Sequence, residues 1–297
     1  MAIVAEWVAA DWGTSRLRVW AMQGRTVLAQ ASSDNGMSRL DKAEFEPALM
    51  DLIEPWLADA PVNVIACGMV GARQGWVEAP YQTVPANPMA RQPVPVPGTN
   101  PRLRVHVVPG LKQPKPAEVM RGEETQIAGF LSLNPRWDGV ICLPGTHTKW
   151  AQISAGEVVS FRTAMTGEMF ALLSEKSVLR HSVAEGWDDE AFHDAVDRAM
   201  SKPESLMTEL FGLRAQDLLH AQSSAVGRGR LSGLLIGAEL AAVKPYWIGQ
   251  QLAVIGASGL SGIYAKALDR QGVPVTIADG TKMTLAGLAA VERDLET

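Results

Sequence analysis

Apolar residues fall along this chain in two kinds of run: short β-branched or aromatic blocks, and longer stretches spaced three and four apart. The first kind opens the chain. Val8 to Trp20 reads as two strands joined by a tight turn, and Arg25 to Ala31 as a third strand. Between Asp41 and Leu57, Phe45, Leu49, Leu52, Ile53 and Trp56 recur at helical spacing and predict an amphipathic helix. Val62 to Gly68 is a buried strand. Residues 79–116 are dense in proline, which excludes a helix and leaves an extended loop with one strand, Leu103 to Val108. Ala117 to Leu133 turns helical, and Gly139 to Leu143 and Val158 to Thr163 are strands. A helical stretch follows: Gly167–Leu179, Asp188–Met200, Pro203–Phe211, Ala215–Ala221 and Leu231–Val243. Met165, Met169, Phe170, Leu172 and Leu173 look like core there. Gln251 to Gly256 is a buried strand entering a helix, Val273 to Ala278 a last strand, and Thr284 to Leu295 a closing helix. Strands mixed with helices in this way predict an α/β protein.

Composition narrows the partners. The length, 297 residues, suits one large domain or two ordinary ones, and 47% hydrophobic residues make a globular chain. A net charge of −5 argues against a nucleic-acid partner, which needs a basic face. Cys67 and Cys142 each lie in an apolar run and fit buried thiols in a reducing compartment. No run of about twenty apolar residues predicts a membrane span. Met1 to Glu6 lacks the basic-then-apolar pattern of a secretion signal, so a cytoplasmic location is expected.

Chemistry concentrates at glycine-punctuated turns. In the first, Asp11 ends a strand where a carboxylate can hold hydrated Mg²⁺. Gly13 admits an anion to the backbone, and Thr14 and Ser15 offer donors to phosphate oxygens. The alternative is an ordinary hairpin with a polar tip. Arg73 and Trp76 share a second loop, and an arginine fork beside an aromatic ring suits a carboxylated, hydroxylated small molecule; the alternative is a surface loop whose tryptophan packs. After Gly122, Glu123 and Glu124 are either acids favoured in a first helical turn or a general base for a hydroxyl proton. Pro144-Gly145-Thr146 forms a second strand–turn–strand phosphate loop, which suggests a duplicated architecture. His147 receives no chemical role, and Lys149 is either a phosphate contact or a solvated lysine. Near the end, Gly256-Ala257-Ser258-Gly259 brings small residues to a helix N-terminus, where a flat anionic ligand can approach. Neither a dinucleotide fingerprint nor a Gly-x-x-x-x-Gly-Lys-Ser/Thr phosphate loop occurs.

These three loops, in this order, resemble the phosphate 1, phosphate 2 and adenosine segments of the sugar kinase/actin/heat-shock chaperone superfamily. Asp11-Trp12-Gly13-Thr14, Cys67-Gly68-Met69-Val70-Gly71, Arg121-Gly122-Glu123-Glu124-Thr125-Gln126, Leu143 to Trp150 and Leu231-Ser232-Gly233-Leu234-Leu235-Ile236-Gly237 together resemble the 2-dehydro-3-deoxygalactonokinase family over essentially the whole chain. The resemblance implies two ribonuclease H-like domains of the actin-like ATPase/sugar kinase type, split as 1–132 and 133–297, with the site in an interdomain cleft. It implies ATP-dependent phosphorylation of 2-dehydro-3-deoxy-D-galactonate at its 6-hydroxyl, in the De Ley–Doudoroff route of galactonate breakdown. Asp11 would hold Mg²⁺, and Gly13, Thr14, Ser15, Gly145 and Thr146 the phosphates. Gly256, Ala257, Ser258 and Gly259 would take the adenosine. In one branch of these kinases the base is an aspartate after glycine; here Gly122-Glu123 stands in that place, which points to Glu123, with Glu124 next. Asn35, Gly36, Arg73, Trp76 and Arg121 are the expected substrate contacts, Arg73 holding the substrate carboxylate. Arg16 and Arg18 share one face of a strand, turned to solvent or another domain. Two alternatives stay open: a kinase for another sugar acid such as 2-dehydro-3-deoxygluconate, and a non-catalytic sugar or nucleotide sensor. A homodimer is equally open.

Overall fold

The computed structural model describes residues 3–90 and 92–296, so Met1, Ala2 and Arg91 of the stretches read above lie outside the described residues. The chain packs as two compact units. One runs to Asp138 and takes in Ile153–Ser160 and everything from Asp279 onward; the other holds Gly139–Gln152 and Phe161–Ala278. The sequence predicts a single boundary at 132/133. Packing divides the chain differently, because the closing helix returns to the first unit.

The first unit contains β1 (Trp7–Trp12), β2 (Leu17–Gln23), β3 (Thr26–Ser33), α1 (Phe45–Ile53), β4 (Val62–Gly68), β5 (Gln82–Thr83), β6 (Val94–Pro95), β7 (Leu103–Val107), β8 (Leu111–Gln113), β9 (Glu118–Met120) and α2 (Glu123–Leu133). Six strands form one sheet in the order β3-β2-β1-β4-β7-β6. β1 to β3 run antiparallel, whereas β4 lies parallel to β1 and β7 parallel to β4. Side chains alternate across a strand, and both faces of β1 are buried. Val8, Ala10 and Trp12 join Phe45, Leu49 and Ile53 of α1 in one cluster, while Trp7 and Ala9 join Leu288 and Val291 in another. Asp11 is the one residue of β1 that is not buried.

The second unit holds β10 (Gly139–Leu143), most of β11 (Thr148–Ser154), the second half of β12 (Glu157–Ala164), α3 (Thr166–Glu175), α4 (Asp189–Ser201), α5 (Leu206–His220), α6 (Ser224–Ala242), α7 (Lys244–Trp247), β13 (Leu252–Gly256), α8 (Ser258–Arg270) and all but the last residue of β14 (Val275–Asp279); α9 (Gly280–Glu296) closes the chain. Its sheet has the order β12-β11-β10-β13-β14, with β13 parallel to β10. Each sheet thus puts its first strand between its second and its fourth. This is the ribonuclease H-like order that the resemblance implies, present twice. Gly229, Gly233 and Gly237 make a smooth stripe on α6, where an added Cβ would run into the carbonyl oxygens of Asp188, Phe192 and Val196 on and before α4. α6 is therefore buried nearly all round.

Four expectations change. The helix predicted from Ala117 starts at Glu123, because β9 occupies 118–120 and Gly122 adopts φ +106°, which stops a helix from extending backward. Pro203–Phe211 and Ala215–Ala221 are parts of one helix, α5. The proline-rich stretch holds four short strands rather than one. Met165, Met169 and Leu172 are exposed rather than core, since Thr166 is the residue that α3 buries.

Candidate active site

Asp11 and Trp12 end β1, and residues 13–16 form the tip before β2. The register sets Asp11 opposite Arg18 and Trp12 opposite Leu17. Arg18 donates to Asp11 Oδ2 and, at 3.3 Å, to Thr281 Oγ1 on α9. Arg18, expected to face solvent or another domain, instead makes an ion pair with the candidate metal carboxylate, whose side chain is 18% exposed. Arg16 does face solvent, 3.5 Å from Asp34. Thr14 and Ser15 are exposed at the tip. The tip is held from behind: Met37 N–H donates to Gly13 O and Ser38 N–H to Thr14 O, both at 3.0 Å. Gly36 is buried against Ser15 and Arg16, where an added Cβ would collide with their backbone, and the Asn35 carbonyl accepts from Trp12 Nε1 at 2.8 Å. Asn35 and Gly36 therefore shape the turn between β1 and β2.

Gly68 ends β4 beside Trp12, and its φ of +91° requires glycine. A Cβ there would sit 2.6 Å from Trp12 O and 3.5 Å from Asp11 Oδ1; a Cβ on Gly122 would sit 3.5 Å from Gly68 Cα. Gly68 thus joins the Asp11 strand end to the N-terminus of α2. At that N-terminus the two glutamates differ. Glu124 is fully buried, accepting from Gly122 N–H at 2.7 Å and Thr125 Oγ1 at 3.1 Å, so it ties the turn before the helix to the helix's first turn. Glu123 is half-buried and accepts from Arg121 N–H at 3.1 Å.

The arginine-on-aromatic pair expected at Arg73 and Trp76 is found elsewhere. Arg73 is 83% exposed and lies 3.8 Å from Glu78. Trp76 turns inward, stacked on Phe45 at 6.1 Å and edge-on to Trp12 at 6.0 Å. Arg121 does lie over an aromatic ring, 4.3 Å from the Tyr81 centroid, and donates to Ala79 O at 2.8 Å; Arg18 over Trp20 and Arg228 over Phe170 make similar contacts. Arg121 Nε and Nη1 are buried without a partner among the described residues.

In the second unit a cavity of about 410 Å³ is lined by Gly145 and Thr146 after β10, Thr166, Gly167 and Phe170 of α3, Arg228 and Leu235 of α6, and Leu260 and Tyr264 of α8. That volume suits a small-molecule site, roughly 300–1,000 Å³. The Gly145-Thr146 turn is clamped by α3. Glu168 N–H donates to Thr146 O at 2.9 Å, and Gly167 packs so tightly on Gly145 that a Cβ would strike its carbonyl. His147, given no role from sequence, pairs with Glu168 at 2.6 Å. Lys149 is buried and donates to His147 O at 3.2 Å, so it is not a solvated lysine. Ala257, Ser258 and Gly259 are exposed at the start of α8, and nothing lies within 4 Å of a Cβ on Gly259. Beneath the cavity, Glu239 is buried and accepts from Trp150 Nε1 at 2.7 Å, from Tyr264 OH at 2.8 Å and from Thr166 Oγ1. Burial pushes its carboxyl above the ordinary value, and these three hydrogen bonds oppose the rise. Burial, and then the Glu239 charge, likewise push the Tyr264 hydroxyl well up. Sequence reasoning missed Glu239, Thr166 and Tyr264, because single polar residues within apolar helices carry no local pattern. Arg18 had a signal, the cross-strand register of the first hairpin.

Among the described residues, no group of three or more His, Cys, Asp or Glu is arranged to hold a metal ion, and no helix is long and apolar enough to cross a membrane. A Rhizobium meliloti protein described as a 2-dehydro-3-deoxygalactonokinase is 37% identical over 303 residues, covering 99% of this chain and 98% of that protein. The 2-dehydro-3-deoxygalactonokinase of Escherichia coli is 32% identical, covering 97% and 98%. A crystal structure of a Sinorhizobium meliloti protein described as the same kinase superposes with a TM-score of 0.90 at 36% identity, over 97% of this chain and 99% of that one. The 2-keto-3-deoxy-galactonokinase family matches residues 11–291, and with that span and those relatives the chain belongs to this kinase family, on the two-domain α/β fold of the actin-like ATPases and sugar kinases.

Proposed function

We propose that this chain phosphorylates 2-dehydro-3-deoxy-D-galactonate at its 6-hydroxyl, with ATP as donor, giving 2-dehydro-3-deoxy-6-phosphogalactonate and ADP in the cytoplasm. The relatives named above carry this activity in their names. The observation that carries the residue assignment is the convergence at Gly68 of the Asp11 strand end and the α2 N-terminus. Phosphoryl transfer is mostly positioning and charge neutralisation, and this convergence supplies a metal-side carboxylate and a second carboxylate for the acceptor hydroxyl.

Asp11 is the residue for Mg²⁺. The ion takes one or two carboxylates, with waters and phosphate oxygens completing its shell, so a single partly exposed carboxylate fits it. Carried with ATP, it would neutralise phosphate charge. Gly13, Thr14 and Ser15 present backbone and hydroxyl donors to phosphate, as do Gly145 and Thr146. The 410 Å³ cavity and the Gly256–Gly259 segment take the nucleoside. Glu123 orients the 6-hydroxyl and accepts its proton, while Glu124 holds the turn that carries Glu123. On the acid's side Arg121 is better organised than Arg73. Its guanidinium is fixed by Tyr81 and Ala79, and a fixed fork suits a carboxylate. Asn35, Gly36 and Trp76 act indirectly, by holding the turn and the loop.

A coupled ADP-release assay over a panel of sugar acids tests this reading. ADP release should be fastest with 2-dehydro-3-deoxygalactonate and slower with its gluconate epimer. Faster turnover of the gluconate epimer would make this a kinase for another acid, and no sugar-dependent release would make it a sensor.

A further inference from the structure

Glu239 lies two residues beyond the glycine stripe of α6, and both of its oxygens are engaged. Oε1 accepts from the Trp150 indole at 2.7 Å; Oε2 accepts from Tyr264 OH at 2.8 Å and from Thr166 Oγ1. An ionised carboxylate only accepts, so both hydroxyl protons point at Oε2. Tyr264, its proton given away, receives its other bond from Thr148 Oγ1 at 3.0 Å. The tyrosine is therefore served on both sides by buried protein groups. Thr166 is not: it lines the cavity, and Glu239 is its side chain's one hydrogen-bond partner among the described residues. A hydroxyl whose proton is committed inward can offer the cavity only lone pairs.

We propose that Glu239 is a positioning residue of the nucleotide site: it fixes Thr166 as an acceptor-only group, which takes a hydrogen bond from a donor on the bound nucleotide. That donor is a ribose hydroxyl or the exocyclic amino group of adenine. The inference rests on the reading of this cavity as the nucleotide site. Core packing alone does not explain the carboxylate. A buried charge is costly, and apolar residues of similar volume usually serve stability as well or better, yet here one carboxylate gathers donors from α3, β11 and α8. Burial raises its proton affinity, and the three converging donors favour the ionised form against that pull.

Glu239→Gln separates polarity from shape. The amide oxygen keeps the Trp150 bond, and the amide NH₂ donates to both hydroxyl oxygens. Thr166 can then turn its own proton into the cavity, so an acceptor becomes a donor. Thr166→Val removes the hydroxyl altogether. Steady-state KM values are measured for ATP, 2′-deoxy-ATP, 3′-deoxy-ATP and inosine triphosphate on the native enzyme and both variants, with circular dichroism and thermal melts checking the fold. The native enzyme should show about a fivefold to tenfold higher KM for the analogue lacking the donor, the size of one hydrogen bond. In both variants that ratio should fall towards one, while the KM for the sugar acid stays put. A deoxy analogue responding assigns the bond to ribose; inosine triphosphate responding assigns it to the amino group. Ratios unchanged in the variants, or all nucleotide KM values raised by one common factor, overturn the proposal. If Glu239→Gln fails to fold, Glu239→Asp, whose shorter side chain withdraws the carboxylate from Thr166, takes its place, and an analogue ratio that stays at the native value in it overturns the proposal. Leu260→Trp, which fills the cavity from α8, separates the two levels. If it leaves the KM for ATP unchanged, the cavity is not the nucleotide site. If it raises that KM while the analogue ratios hold, only the role of Glu239 fails.

Discussion

Gly167→Ala probes the second phosphate turn with a single methyl group. Gly167 is the second residue of α3, and a Cβ there would run into the carbonyl oxygen of Gly145 and stand 2.9 Å from Thr146 Cα. Carbon contacts relax to about 3.5–4.0 Å, so helix and turn must separate by roughly 1 Å. Two stability effects oppose each other. Alanine over glycine in a helix gains up to about 1 kcal/mol, and overpacking costs about 1–3 kcal/mol. The net loss is about 0–3 kcal/mol, a drop of several degrees at most in Tm for a protein of this size. Catalysis has no such compensation. A misplacement of about 1 Å in a positioning group can cost roughly a hundredfold, so kcat/KM for ATP should fall by about 10- to 100-fold. The assay is coupled ADP release with ATP varied at saturating sugar acid, beside a thermal melt. Gly212→Ala on α5, where nothing lies within 4 Å of the added Cβ, is the control and should be neutral or stabilising. A Gly167→Ala enzyme with native kcat/KM for ATP and a raised Tm would refute the clamp.

Three other outcomes follow from the same geometry. Asp11→Asn should leave the fold intact and lower turnover by several orders of magnitude, since a lost metal-side carboxylate is worth several kcal/mol; near-native kcat at saturating Mg²⁺ would remove Asp11 from the site. Arg121→Lys should raise the KM for the sugar acid about tenfold or more, because lysine lacks the planar fork, whereas Arg73→Lys should change it little; equal effects would return Arg73 to the site. Glu239 titrates near 4.5 when unfolded and higher when folded. A raised acid favours folding in its protonated form, so its contribution declines as pH climbs from about 4.5 through the folded value, then levels off. Urea melts of native enzyme and Glu239→Gln over roughly pH 4 to 8 should show the native-minus-variant stability falling with pH; a difference that rises with pH would contradict the burial argument.

How far the sequence reaches depends on the range of the cause. The hairpin Val8–Trp20, strand Val62–Gly68 and the glycine turns after β1 and β10 are legible as structure because apolar alternation and turn glycines act within a few residues. Helical composition runs across Gly122 and predicts α2 from Ala117, but Gly122 adopts a positive φ and packs beside Gly68, more than fifty residues away. Trp76 shows the same limit. An arginine three residues from a tryptophan suggests a pair, yet the ring's partners are Phe45 and Trp12, while Arg121 pairs with Tyr81. The glutamates of α2 were legible as a pair but not individually, since only the fold buries one and leaves the other half-exposed. The network around Glu239 draws on four elements, and no window of the sequence contains it.

The return of α9 to the first unit bears on how the chain is made. α9 packs on α2 through glycines on both sides. A Cβ on Gly129 would strike the Met283 carbonyl, and one on Gly287 the Thr125 carbonyl. Leu288 and Val291 cover Trp7, Trp20 and Ile65 on one face of the first sheet. A ribosome therefore releases the first unit with that face bare, then synthesises the whole second unit before the cover emerges. At about 5–20 residues per second, the wait is on the order of ten seconds or more, during which two tryptophans stand open to chaperones or to neighbouring chains. A fragment ending near Asp138 would stay in that condition permanently, so the N-terminal half cannot be produced as a stable piece unless the last helix is grafted back onto it.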